Sequence, residues 1–139
     1  MKVTKYLSSI QVQWPISRYS IDWDRKVSKP QKKVKDSLRT IWMYDRVLEE
    51  ALIPGCKKRI DLVNLTKMIV VEISPDSVHK NLNKFFHGNN SGLYKKMKAD
   101  SDKEEWCKSN GFEYVSLDDS DLKDLNLSDI EAKYGVKLS

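Results

Sequence analysis

The segment Met68-Ile69-Val70-Val71-Glu72-Ile73 is apolar on both alternating faces apart from one carboxylate. A strand of that kind has to be covered on both sides, so it belongs in the middle of a sheet with layers above and below it. A chain of 139 residues has room for one such core. The expectation is a single domain, 1–139, made of an aromatic and basic N-terminal segment (1–28), a central core (29–118) and an acidic C-terminal tail (119–139).

The neighbours of this segment suit that placement. Val47 to Ile53 and Arg59 to Leu65 have strand character, and the tight connections at Pro54-Gly55 and Thr66-Lys67 predict an antiparallel three-strand meander. A helix is predicted from Pro30 to about Tyr44, with Val34, Leu38, Ile41 and Trp42 on one face and the lysines on the other. Ser28 and Gln31 read as a capping box at its start. A second helix is expected from about Leu93 to Ser109, stopped by Asn110-Gly111, followed by a strand from Phe112 to Leu117. Strand, helix and strand make a crossover, so the last strand should join in parallel. Ser128 and Glu131 suggest another capped helix before Gly135. The fold class expected is α/β (α+β): a mixed central sheet with the meander, a crossover helix and a parallel strand, flanked by helices.

No apolar run approaches the roughly 20 residues of a membrane span, and Met1-Lys2-Val3-Thr4-Lys5 leads into no signal-peptide core. The expected compartment is the cytoplasm, with no membrane partner. Cys56 and Cys107 lie far apart, which argues against a disulfide framework. With His79 and His87 they have no finger-like spacing, so packing as small apolar groups is favoured over zinc.

The net charge of +5 is unevenly placed. Arg25, Lys26, Lys29, Lys32, Lys33, Lys35 and Arg39 crowd one stretch, whereas Asp118, Asp119, Asp121, Asp124, Asp129 and Glu131 make the C-terminal end acidic. The basic stretch is either a surface for a polyanion or a solvated helix face, and charge alone leaves both open. Among the N-terminal aromatics, Trp14, Tyr19 and Trp23 either cover the core or stack on bases beside Arg18 and Arg25. Packing is the favoured reading, because large aromatics are mostly structural.

Acids recur at Glu50, Asp61 and Glu72. A turn centred between Thr66 and Lys67 sets Asp61 opposite Glu72 on one face, and a turn at Gly55-Cys56 sets Glu50 opposite Asp61. Like charges directly opposed across strands destabilise the pair. An apolar sheet tolerates them with a proton, a cationic side chain or a metal ion. Carboxylates select hard ions such as Mg²⁺, with room left for water and phosphate. The alternative is a solvated sheet edge where the acids pair with Lys57, Lys58 or Arg59, and a one-residue register slip would also separate them. His79 follows the Glu72 strand closely enough to act as a general base. Asp100 falls on the stripe of Leu93, Met97 and Cys107, where it would orient a partner such as His79, and Lys103 is placed to support a phosphate.

Arg59-Ile60-Asp61, followed one hairpin later by Val71-Glu72-Ile73, resembles the Asp…Glu core of the PD-(D/E)XK nucleases. Pro30-Gln31, the Trp42 helix, Glu49-Glu50, Ile53-Pro54-Gly55, His79, Phe85-Phe86-His87, Asp100 to Lys103 and Trp106 to Phe112 extend the likeness to small nucleases of tailed phages. Some of these are free-standing homing endonucleases, and the group is similar to the very-short-patch repair endonucleases. The likeness spans about residues 28–118. It implies a restriction-endonuclease-like sheet and Mg²⁺-dependent hydrolysis of double-stranded DNA, with Mn²⁺ able to substitute. Asp61 and Glu72 would be the metal ligands, His79 the proton-transfer residue, and Glu50, Asp100 and Gln31 secondary catalytic candidates. Arg18, Arg25, Lys26, Lys29, Lys32, Lys33, Lys80 and Lys103 would contact DNA. A double-strand cut calls for a homodimer or two successive nicks. The pattern departs from the family at Ser74, where its plain form has lysine, so either Lys80, Lys103 or His79 replaces that cation or the enzyme works as the histidine-using branch of the group does. The alternatives are a non-catalytic DNA-binding module and a degenerate relative of the nucleases.

Overall fold

A computed structural model describes residues 1–74 and 101–139. The chain begins with a hairpin, β1 (Lys2–Thr4) and β2 (Gln11–Gln13), and a 3-10 turn (Ile16–Tyr19), then enters α1 (Lys29–Trp42). The strands β3 (Val47–Leu52), β4 (Arg59–Asn64) and β5 (Ile69–Ile73) follow. Helix α2 is described over residues 101–109, and β6 (Glu113–Leu117), α3 (Asp119–Lys123) and α4 (Leu127–Tyr134) complete the chain. The start expected for the second helix at Leu93 lies outside the described residues.

The main sheet has the order β3-β4-β5-β6, antiparallel through the first three strands and parallel between β5 and β6. The apolar segment therefore lies inside the sheet, as its two-faced composition requires. Val34, Leu38 and Trp42 of α1 pack on one face, against Leu62, Val71 and Val115. Trp14, Val3, and Trp106 and Cys107 of α2 pack on the other, against Ile60, Val63 and Val70. Trp14 is thus a core residue. The acidic C-terminal segment also contributes to the core, since Leu122, Ile130, Val136 and Leu138 are buried with α1 and the Trp42 indole N–H donates to the Leu138 carbonyl at 2.8 Å. Among the described residues no helix is long and apolar enough to cross a membrane.

Two predicted caps are corrected. The Ser28 side chain makes no capping hydrogen bond, and Gln31 turns inward to Glu49 instead of back to the helix start. Pro30 in the first turn supplies the start, since its missing N–H would have had no partner there. At α4 the cap is Asn126, whose side chain accepts from the Asp129 N–H, while Glu131 accepts from the Leu138 N–H. Asn126→Ala should therefore cost about 1 kcal/mol in thermal unfolding, whereas Ser128→Ala should cost little. Gly135, at φ 66°, ends the helix as expected.

Alternation along a strand puts residues three apart on opposite faces. Leu48 and Ala51 nevertheless pack in one cluster, and so do their ladder partners Val63 and Ile60. The rotation sits at Glu50, whose φ of 50° leaves the extended region and which has no partner in the β3–β4 ladder. For a residue with a Cβ this conformation costs about 1–2 kcal/mol. The register continues past it, so the bend lies directly across from Asp61.

Candidate functional site

The β4–β5 ladder pairs Leu62 with Val71, Val63 with Val70 and Asn64 with Ile69. This is the register expected from the Thr66-Lys67 turn. One step further, where Asp61 meets Glu72, backbone pairing gives way to a reciprocal exchange. The Asp61 N–H donates to Glu72 Oε1 at 3.0 Å, and the Ile73 N–H donates to Asp61 Oδ2 at 2.8 Å. Each carboxylate thus accepts a bond that the opposite strand would otherwise receive on its backbone. Both acids are brought to the gap where the strands part.

From α2, Lys103 Nζ reaches Glu72 Oε2 at 3.0 Å, with both side chains largely buried. The charge of Lys103 is also felt at Asp61. Burial pushes the Glu72 carboxyl up to about 7, the neighbouring Asp61 adds to the rise, and Lys103 opposes it. Asp61 is also raised, first by burial; the Ile73 N–H and Lys103 hold it down, and Glu50 and Glu49 push it up. Cys107, packed below the pair, has its thiol pushed up to about 12 by burial and then by Glu72. It behaves as a small apolar group, and Cys56 is likewise free of any disulfide.

This pair fits a hard divalent ion. Oδ1 of Asp61 accepts no hydrogen bond among the described residues, and a cation between the acids would offset the repulsion that raises them. Among the described residues no group of three or more His, Cys, Asp or Glu could cage a metal. Two carboxylates completed by water and phosphate are a usual set for Mg²⁺.

Glu50 and Gln31 are placed elsewhere. Because the backbone turns at Glu50, its carboxylate leaves the line toward Asp61 and pairs with Arg25 Nη2 at 2.8 Å. Gln31 donates to Glu49 Oε2 at 3.2 Å on the α1 side of the sheet. Its role there is to satisfy a buried acid. His79, Lys80, Asp100 and the Phe85-Phe86-His87 run lie outside the described residues.

The basic stretch divides in the structure. Arg18, Lys26 and Lys29 are exposed, and Lys32 is exposed with Asp36 as its partner. Arg25 is committed to Glu49 and Glu50. Lys33 donates to the Leu122 and Lys123 carbonyls, capping α3 where unpaired carbonyls favour a cation, so its ammonium serves the fold. The lysines do not all occupy the solvent face of α1. Lys35 is buried, with its ammonium 2.7 Å from Glu49 and 2.6 Å from the Asp22 carbonyl. The signal was present in the spacing, because Gln31, Lys35, Leu38 and Trp42 recur at the helical period.

Compared with known proteins, the chain matches no family model, no curated protein and no solved structure.

Proposed function

We propose that the chain is a metal-dependent endonuclease acting on double-stranded DNA, of the PD-(D/E)XK kind that its motifs resemble. Asp61 and Glu72 would hold Mg²⁺, or Mn²⁺ in its place. The observation that carries this reading is the convergence of both carboxylates on the gap between β4 and β5, with a buried ammonium beside them. The mixed sheet with helices on both faces agrees with a restriction-endonuclease-like arrangement. The bound ion would lower the pKa of an attacking water and draw charge from the scissile phosphate. The chain's own residues hold the carboxylates in register, exclude bulk water from Glu72 and keep a cation within reach.

Lys103 supplies that cation in this reading. Ser74 occupies the usual lysine position, and its N–H and hydroxyl are turned toward Leu117 and Ser116. A lysine projecting from α2 reaches Glu72 from the side instead. Lys103→Met should lower the nicking rate about 10–100-fold, as loss of a group that orients a metal ligand does. Because Lys103 holds the Glu72 pKa down, the acid limb of the pH–rate profile should also move to higher pH. A uniform rate loss with an unmoved limb would assign Lys103 to the fold alone.

His79 is the proposed proton-transfer residue, and Arg18, Lys26 and Lys29 the proposed phosphate contacts. Phosphate contacts of this kind weaken steeply with salt. A homing-type role in a phage, in the cytoplasm of its host, rests on the resemblance. The deciding experiment incubates supercoiled plasmid with the protein in Mg²⁺, Mn²⁺ or EDTA. Nicking in either metal but not in EDTA is expected. Salt-sensitive DNA binding without nicking in any condition would select the non-catalytic module, and preferential cleavage of RNA would redirect the substrate. Linear product that appears together with the nicked circle, rather than after it, would call for the homodimer over two successive nicks.

A further inference from the structure

Between the Trp23 segment and α1 lies a cavity of about 280 Å³, separate from the carboxylate pair. It is lined by Trp23 and by five cations, Arg25, Lys26, Lys32, Lys35 and Arg39, against the acids Asp24 and Asp36. We propose that this cavity seats one unstacked nucleotide, with its phosphate among the cations and its base against Trp23.

The chemistry follows from how each cation is held. Arg25 is fixed by two carboxylates, Nε to Glu49 at 3.0 Å and Nη2 to Glu50 at 2.8 Å. Its Nη1 donates to no described residue, so part of the guanidinium fork is both oriented and unspent. Lys26 is exposed and has no partner among the described residues. Lys32 and Arg39 are paired, but with Asp36 and Asp24, whose side chains are 55% and 79% exposed. Such exposed pairs contribute little and exchange readily for a phosphate. Lys35 stays with Glu49 and forms the positive floor.

Trp23 selects a nucleotide over a bare anion. The other tryptophans, Trp14, Trp42 and Trp106, are buried, whereas Trp23 is only half-buried and lines the cavity. An aromatic face beside cations is the arrangement that binds unpaired bases. The volume is at the lower end for small-molecule sites, which suits one nucleotide and excludes a duplex. Arg25 also connects the seat to the candidate active site, because it holds Glu50, whose charge is felt at Asp61.

The test uses the whole chain in EDTA, so that binding is read independently of cleavage. Tryptophan emission is followed while deoxyadenosine monophosphate, inorganic phosphate or a short single strand is added, with polyglutamate as the acidic-peptide probe. Quenching by the nucleotide or the strand, and not by phosphate or polyglutamate, is expected. A response to both assigns the seat to free nucleotide as well as to strand, and a response to the strand alone assigns it to a nucleotide within a chain. Trp23→Leu should weaken binding of a labelled strand, read by anisotropy, about tenfold or more. Lys26→Glu, at an exposed position that threatens no packing, should weaken it as well. Equal binding of polyglutamate, unchanged affinity in both variants, or no response to either the nucleotide or the strand at millimolar concentration would overturn the seat and leave the plasmid result standing on its own.

Discussion

Asp61→Asn is expected to reduce metal-dependent plasmid nicking by about 10³-fold or more, while DNA binding in EDTA stays near wild type. The substitution isolates charge. Its amide oxygen can still accept the Ile73 N–H that Asp61 accepts at 2.8 Å, and its backbone N–H can still donate to Glu72. Strand pairing at the gap is therefore kept. What disappears is half of the anionic set that would hold a hard ion. The experiment compares nicking rates in Mg²⁺ and Mn²⁺ alongside thermal melts of both proteins. Retained metal-dependent nicking in a folded Asp61→Asn protein would remove Asp61 from the chemistry and the nuclease mechanism with it.

Glu72→Gln should remove a pH effect on stability. The Glu72 carboxyl is raised from 4.5 to about 7, so the folded chain holds its proton more tightly than the unfolded chain. Its contribution to stability is full below about 4.5 and is lost as pH rises through about 7. Without divalent ions the wild type should weaken across that window relative to Glu72→Gln. Above it the variant should be more stable, by on the order of 1–3 kcal/mol. The amide oxygen can replace only the carboxylate oxygen that accepts from the Asp61 N–H, and the amide NH2 then faces Lys103 Nζ, so the variant gives up the Lys103 bond together with the charge. Adding Mg²⁺ should stabilise the wild type, increasingly as pH rises and the acid ionises, and leave the variant unmoved. Matched melts with and without EDTA provide the check. A variant less stable than the wild type above about pH 7 in EDTA would show that Lys103 more than offsets the buried charge.

These two outcomes together would describe a site whose acids are costly to the fold and useful to a bound ion. That is the usual relation between stability and function at such positions. Asn126, by contrast, stabilises a helix without touching the site.

The parts of this arrangement that were legible beforehand are those set by local pattern. The apolar run through Val70 and Val71 required an interior strand, and the short Thr66-Lys67 connection left one register in which its flanking strands could pair. The Asp61–Glu72 approach followed from that register. Glu50 lies across from Asp61 as turn-counting expects, but turn-counting assumes unbroken alternation, and a single backbone rotation to φ 50° carried its carboxylate to Arg25. Lys35 was misplaced because a lysine on an amphipathic helix ordinarily faces water; its spacing with Leu38 and Trp42 put it on the inner face, and the buried Glu49 supplies the partner that keeps it there. The Ser28 and Ser128 caps failed for a related reason, since Gln31 and Glu131 had stronger partners elsewhere in the fold. Lys103 was visible as a useful cation, but its bond to Glu72 depends on how α2 lies on the sheet, which no spacing encodes.

The docking of the first hairpin bears on the order in which the protein can assemble on a ribosome. The Trp106 indole N–H donates to the Thr4 carbonyl at 2.7 Å, and the Asn110 side chain bonds both the N–H and the hydroxyl of Thr4. The hairpin thus waits for a seat made by residues more than 100 positions later in the chain. Contacts so distant in the chain slow folding and leave Val3 and Trp14 uncovered meanwhile. The lysine that touches Glu72 stands one turn from Trp106, so the helix that closes over the hairpin is also the one that brings this charge into position.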